Sequence, residues 1–262
     1  TVEPNENINI TQVIGNIPPK TYFKEMSVVG DYAYLISSYK SEHFLMSINW
    51  RTGRTNIIPI NISLYKPNKI SIDRFQLLEK SKEILVYIKT FAKKELPQYY
   101  VMQLNEGGNK SQIYHLSKNI EKSFTEVSGF KISEDEYIYT GTYTSSKGSS
   151  SEGIFFGEGS DGKMRYTKFY SFIDLKNFLS YLPEKKQEKI EKKKQKKEDK
   201  GKELKINYYV AVHDIITFDD GYLFLGECYY PTYRTETRTT YVNGQATTTT
   251  YQVFDGYQYT HA

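Results

Sequence analysis

Four stretches of the chain, 32–39, 84–91, 137–144 and 222–229, concentrate Tyr, Ile, Val, Leu and Thr in short runs bounded by turn residues, the pattern of half-buried or fully buried strands. Their starts are 52, 53 and 85 residues apart. Each is preceded by another apolar run across a tight turn: Val29-Gly30-Asp31, Glu79-Lys80-Ser81-Lys82, Ser133-Glu134-Asp135-Glu136 and Asp219-Asp220-Gly221. Downstream, Gly53, Gly108 and Gly162 each centre a second polar turn, and they are 55 and 54 residues apart. Two landmarks with one period define a repeat of strand–turn–strand–loop–strand–glycine turn–strand, a four-stranded antiparallel meander. Meanders repeated at this length predict an all-β chain built of β-propeller blades, the alternative being an ordinary β-sandwich.

The predicted blades cover approximately 22–66, 70–118, 123–172 and 208–262. The fourth offers a first strand at 212–218, a second at 222–229 and the start of a third at 257–262. About three and a half blades are therefore visible, the fourth being incomplete. An open sheet edge leaves backbone donors and acceptors unpaired. The expectation is that a partner protein, a continuation of the same polypeptide, or the partly alternating segment 8–14 completes it.

Two stretches depart from the period. In 173–205, Asp174 is placed to cap a short helix whose Leu175, Phe178, Leu179 and Leu182 share one face. After Pro183, a Lys- and Glu-rich helix is predicted, with Glu188/Lys192 and Lys194/Glu198 as i,i+4 pairs and Ile190 as its one apolar residue. It reads as a solvated charged arm; the sharper reading is a docking element for an acidic partner or anionic lipid headgroups. In 230–255, Asn243-Gly244 is a type I′ hairpin signal, and it pairs Tyr241 with Ala246, Thr240 with Thr247 and Thr239 with Thr248. With Thr-rich flanks and no apolar side, this hairpin should stand away from its blade. Its candidate partner-binding residues are Tyr233, Arg234, Arg238, Tyr241, Asn243 and Tyr251. Both insertions, with the looser loops 92–98 and 145–153, fall on the same face of the repeat, and loops on a rigid scaffold carry function disproportionately.

Composition adjusts this picture in three ways. Tyr supplies 25 residues against 14 Phe and 1 Trp, a usage that suits half-buried strands and surfaces for flat ligands. The net charge of +4 is local: residues 184–203 hold ten Lys against six Asp or Glu, and the remainder holds 25 of each sign. A general nucleic-acid surface is therefore not expected. Cys228 is the single cysteine, so no intrachain disulfide forms, and its apolar strand predicts an inert core thiol. No apolar run reaches transmembrane length. Residues 1–20 lack the charged and apolar regions of a secretion signal.

Candidate chemistry is sparse. Near the start of each first strand lies an acid: Glu25, Asp73, Glu126 and Asp214, the last preceded by His213. As a ring at a channel mouth they would hold sugar hydroxyls or a hard cation such as Ca²⁺; no other cofactor is expected. The bland alternative is that polar residues mark where strands meet solvent. His43, His115, His213 and His261 lack zinc-type spacing, and no nucleophile elbow, phosphate loop or dinucleotide fingerprint occurs.

The Tyr-, Lys-, Asn- and Thr-rich repeats, with pieces such as Phe254-Asp255-Gly256-Tyr257 and Asp219-Asp220-Gly221-Tyr222-Leu223, resemble secreted β-propeller-like proteins of Bacteroidota. The resemblance implies a periplasmic, outer-membrane-associated or extracellular setting, and binding or assembly in place of catalysis. The expected function is a non-catalytic module contacting a protein or glycan through its loop-rich face. The rival is a glycan-active propeller enzyme using the first-strand carboxylates.

Overall fold

A computed structural model describes residues 12–15, 17–78, 80–108, 111–160, 163–219, 221–242 and 245–260. The first sheet comprises β1 (Tyr22–Val29), β2 (Tyr32–Tyr39), β3 (Glu42–Asn49) and β4 (Thr55–Pro59). The second comprises β5 (Ile70–Leu78), β6 (Glu83–Thr90), β7 (Gln98–Leu104) and β8 (Ser111–His115). The third comprises β9 (Ser123–Lys131), β10 (Glu136–Thr144), β11 (Gly153–Ser160) and β12 (Lys163–Ser171). Each is an antiparallel meander with its strands in chain order. The repeat seen in the sequence is thus a repeat of structure, and the positive φ of Gly30, Gly53 and Gly108 shows why glycine punctuates its turns.

Successive sheets pack face to face. Tyr34, Ile36, Leu45 and Ile58 of the first meet Ile72, Phe75, Val86 and Met102 of the second. Leu85, Tyr87, Tyr99 and Val101, on the opposite face of the second, meet Phe124, Val127, Tyr139 and Phe155 of the third. Because side chains alternate across a strand, the second sheet is apolar on both faces, and β6 reads as the unbroken run Ile84-Leu85-Val86-Tyr87-Ile88, all buried. A polar tie crosses the second interface at Gln76. Its Oε1 accepts from the Tyr87 hydroxyl and the Gly129 amide, each at 2.9 Å, and its Nε2 donates to Ser128 Oγ at 3.3 Å.

The fourth sheet departs from the pattern. Its first strand is broken into β13 (Tyr209–Val212) and β14 (Ile216–Phe218), and its second into β15 (Gly221–Leu223) and β16 (Gly226–Val242). β14 pairs with β15 and β13 with the start of β16, bridged by His213 N–H to Leu225 O at 3.0 Å. The third strand, β17 (Gln245–Thr260), pairs with β16 along its whole length. The 230–255 hairpin is therefore no insertion between strands but the outward continuation of the second and third. The Thr239–Thr248, Thr240–Thr247 and Tyr241–Ala246 pairs form as expected, and Val242 pairs with Gln245 around Asn243-Gly244, which lie outside the described residues. Val210, Val212 and Cys228 pack on Phe172 and Ile154 of the third sheet.

Two further expectations are corrected. Residues 175–182 form successive turns and not a capped helix: Leu175, Phe178, Ser180 and Leu182 each donate three residues back, and Asn177 at φ 63° breaks any helical run. Phe178 nevertheless buries its ring, stacked on Phe172 at 4.6 Å, while Asp174 pairs with Lys194 at 2.9 Å. Ile14, the described end of the 8–14 segment, lies beside Arg54 at the first sheet, donating to Gly53 O at 2.6 Å; it is not at the fourth sheet. The predicted charged helix does form, as α1 (Glu184–Glu198).

The sole tryptophan marks the tight-turn side of the first sheet. Trp50 Nε1 donates to Gly30 O at 3.0 Å, and Arg51 lies over its ring while pairing with Asp31 at 2.6 Å.

Candidate functional site

The first strands carry one irregularity in common. β1 is bulged between Phe23 and Glu25, β5 between Ile72 and Arg74, and β9 skips from Phe124 to Glu126 opposite Tyr143 and Thr142. The extra residues are Lys24, Asp73 and Thr125. A bulge re-aims the side chains around it, so the structurally equivalent residues after it are Glu25, Arg74 and Glu126. Asp73 sits one position out of register with the other acids, and a one-residue offset turns a side chain to the other side of a strand. The anticipated ring of carboxylates is thus an interleaving of acids with bases.

Lys24 Nζ donates to the Asp73 carbonyl at 2.8 Å, linking the first and second sheets. Lys89 Nζ pairs with Asp73 Oδ1 at 2.8 Å and donates to Thr125 O at 2.7 Å, linking the second and third. Arg74 pairs with Asp214 at 2.6 Å and donates to Val212 O at 3.0 Å, reaching the fourth. The Tyr99 hydroxyl also donates to Asp73. His213, on the outer side, faces Glu227 at 3.4 Å. Among the described residues, no three His, Cys, Asp or Glu side chains converge as a metal site would require.

Glu126 differs in lining a cleft. It is half-buried, and no hydrogen bond or ion pair reaches its carboxylate among the described residues. Burial holds its pKa above the usual carboxylate range, reinforced by the nearby Asp73 and opposed by Lys89, Arg74 and Lys24. Glu25 is also raised, chiefly by burial, against Lys24 and Arg74.

Glu126 opens into a cleft of about 490 Å³. Lys89, Phe91 and Pro97 form one wall, and Ser123 to Glu126 with Lys147 to Ser149 form the floor and a second wall. The third wall is aromatic but for Pro231: Tyr209, Tyr229, Tyr233, Phe254 and Tyr257 surround it. Register explains why these rings share a face. Tyr229, Pro231 and Tyr233 alternate along β16 opposite Tyr259, Tyr257 and Phe254. Phe254 and Tyr257 are three apart, which in a regular strand would put them on opposite faces. A bulge at Asp255-Gly256 restores them to one side, with Gly256 at φ 127° and its carbonyl bonded by Thr232 Oγ1 at 3.1 Å. The rings form a ladder, Tyr229 edge-on to Tyr257 at 5.2 Å and Phe254 edge-on to Tyr257 at 5.0 Å, yet Tyr233, Phe254 and Tyr257 each keep half or more of their surface exposed.

Comparison of the chain with models of known protein families, with curated proteins and with solved structures finds no match. The site must be read from its own chemistry.

Of the residues singled out in the sequence, the cleft contains Glu126 and Tyr233. Arg234 and Tyr251 lie on the opposite face of the ribbon. There Arg234 pairs with Glu236 at 2.8 Å and Asp255 at 3.5 Å, and the Tyr251 hydroxyl donates to Glu236 at 3.2 Å. Arg238 and Tyr241 sit farther out, exposed to solvent, and Asn243 lies outside the described residues. Tyr209, Tyr229, Phe254 and Tyr257 escaped the sequence reading. The alternation Tyr229-x-Pro231-x-Tyr233 was the available signal; the bulge that adds Phe254 was not.

A carboxylate whose pKa is raised by folding opposes folding once ionised. The sign follows from linkage: the penalty is absent below the unfolded pKa and complete above the folded one. Glu126→Gln should therefore raise the melting temperature at pH 7 and leave it little changed near pH 3. Thermal melts of the two proteins across that range check this; a variant less stable at pH 7 would show that the carboxylate is a structural partner.

Proposed function

We propose that this chain is a non-catalytic binding module with its sheets set as blades about a common axis, as in a β-propeller, and that its cleft takes a glycan. The blade arrangement is supported by the shared order of strands, the face-to-face packing of successive sheets, and the lacing of the first strands by Lys24, Arg74 and Lys89. The cleft lies among the β6–β7 and β10–β11 loops and the extended ribbon of the fourth sheet, on the loop-rich face.

One observation carries the ligand class: Glu126, with no hydrogen bond or ion pair among the described residues, lines a cleft whose opposite wall is exposed aromatic rings. Sugar rings present apolar C–H faces that stack on tyrosine, and hydroxyls that donate to a carboxylate. Lys89 and Lys147, which also hold Asp73 and the Lys93 carbonyl, line the same cleft. A solvent-facing ladder of rings without such a ligand would be surface of the kind proteins keep small.

Hydrolysis is the weaker reading. It needs two carboxyl groups within about 5–10 Å, one free to protonate and one to attack or activate water. Asp73 is engaged by Lys89 and Tyr99, and Asp214 by Arg74, and Glu25 does not line the cleft, which leaves Glu126 as the one carboxylate lining it. The setting proposed is a bacterial envelope or secreted complex, in keeping with the family the repeats resemble. No helix among the described residues is long and apolar enough to cross a membrane.

Calorimetric titration with chitohexaose, cellohexaose and soluble mannan provides the test. The intact protein should bind at least one, without releasing reducing ends. Glu126→Gln should weaken that binding roughly tenfold or more, the cost of losing a charge-assisted hydrogen bond, and Tyr229→Ala should weaken it comparably. Binding unaffected by both substitutions, or absent for every glycan, would overturn the assignment.

A further inference from the structure

Helix α1 separates its charges by face. At 3.6 residues per turn, Lys185, Lys189, Lys192 and Lys196 fall in one line, flanked on one side by Lys186, Lys193 and Lys197. Glu184, Glu188, Glu191 and Glu198 fall on the opposite side. Between the two runs a narrow stripe, Gln187, Ile190 and Lys194, and these are the only residues of the helix that are half-buried; every other one is exposed. The stripe is how the helix docks. Gln187 Nε2 donates to Leu182 O at 2.6 Å, and Lys194 pairs with Asp174 at 2.9 Å. Lys194 is thus the helix lysine consumed in holding the helix down, and the seven on the outward side form no ion pair among the described residues.

The helix is therefore a fixed, one-sided cationic face and not a mixed-charge arm. Its leading row spans about 17 Å at the helical rise. Outside the helix the chain carries 27 positive and 27 negative side chains, so the net charge of +4 resides on this helix.

We infer that α1 docks the protein onto an anionic lipid surface. The residue types choose among polyanions. Every cation is lysine, which lacks the planar fork that grips individual phosphates of a nucleic acid. The helix has no aromatic side chain to stack on a base or to insert between acyl chains. What remains is attraction between a straight row of point charges and a plane of negative headgroups, the mode of polybasic segments at membranes. The docking would also orient the molecule. After α1 the chain returns along the loop between β10 and β11, where Lys205 pairs with Glu152 at 3.1 Å, and the same loop supplies Lys147 to Ser149 of the cleft.

Co-sedimentation of the full chain with vesicles tests the inference. Vesicles of phosphatidylcholine containing one-third phosphatidylglycerol should bring the protein down; phosphatidylcholine alone should not, and added salt should release it. Substituting Lys185, Lys189, Lys192 and Lys196 together by Gln should lower the partition roughly tenfold or more. The same four changed to Arg should retain it, and circular dichroism should show the helix intact in both. Equal partition onto neutral vesicles, an unchanged Gln variant, or tighter capture by a DNA duplex than by anionic vesicles would each overturn the proposal. Because the glycan titration needs no lipid, its outcome is independent of this one.

Discussion

Phe155→Ala should lower the free energy of unfolding by about 3–5 kcal/mol, the range for removing a large aromatic side chain from a packed core. Phe155 is wholly buried and stacks on Phe124 at 4.0 Å with the rings nearly parallel, with Phe169 as a further neighbour at 6.3 Å. The pair sits where the second and third sheets face each other. Alanine there loses the burial of a ring and leaves a cavity walled by two well-ordered sheets that have little freedom to collapse. Denaturant titration followed by circular dichroism measures the effect. Phe155→Leu, which keeps most of the volume, should cost less than half as much, and a change below about 1 kcal/mol for alanine would mean the sheets close up around the hole.

Gly141→Ala should cost about 3 kcal/mol by a different route, overpacking against the main chain, and should also damage the cleft. A β-carbon at Gly141 would lie 2.0 Å from the Glu126 carbonyl oxygen and 3.0 Å from Val127 Cα. Backbone cannot rotate away as a side chain does, so β9 must move off β10 at the very residue whose carboxylate lines the cleft. Stability and glycan affinity should therefore fall together, whereas Phe155→Ala should leave the affinity of the folded fraction largely intact. Gly221→Ala is the control: its added carbon meets nothing within 4 Å, and it should shift stability by less than about 1 kcal/mol. A Gly141→Ala protein with normal affinity would separate Glu126's position from the β9–β10 pairing and sink the argument.

The repeat was legible because it rests on local chemistry. Turn glycines and alternating apolar runs are required wherever a meander forms, so β2 spans the run read from the sequence and the outer hairpin pairs in the anticipated register. The bulges were not legible. Nothing about Lys24, Asp73 or Thr125 as residue types demands an extra residue in the strand; the demand comes from how the first strands converge, a tertiary constraint. That single-residue slip is what separated Asp73 from the other acids and turned an expected carboxylate ring into salt bridges. The bulge at Asp255-Gly256 acted in the opposite sense, adding Phe254 to the cleft. In the charged segment, composition gave the helix but hid its geometry. The count of lysines is visible in the sequence, whereas the docking stripe emerges only once Lys194 meets Asp174 across 20 residues.

Trp50 carries a practical consequence. It is the only indole in the chain, tethered to Gly30 at the tight-turn end of the first sheet, while the cleft is built from the second, third and fourth sheets and walled by tyrosines. Excited at the red edge of the ultraviolet band, the protein reports on the first sheet alone; excited where tyrosine absorbs, it reports on the ligand wall as well. Two wavelengths on one unlabelled sample thus separate loss of the N-terminal sheet from occupancy of the cleft, an optical partition set by where a single residue was placed.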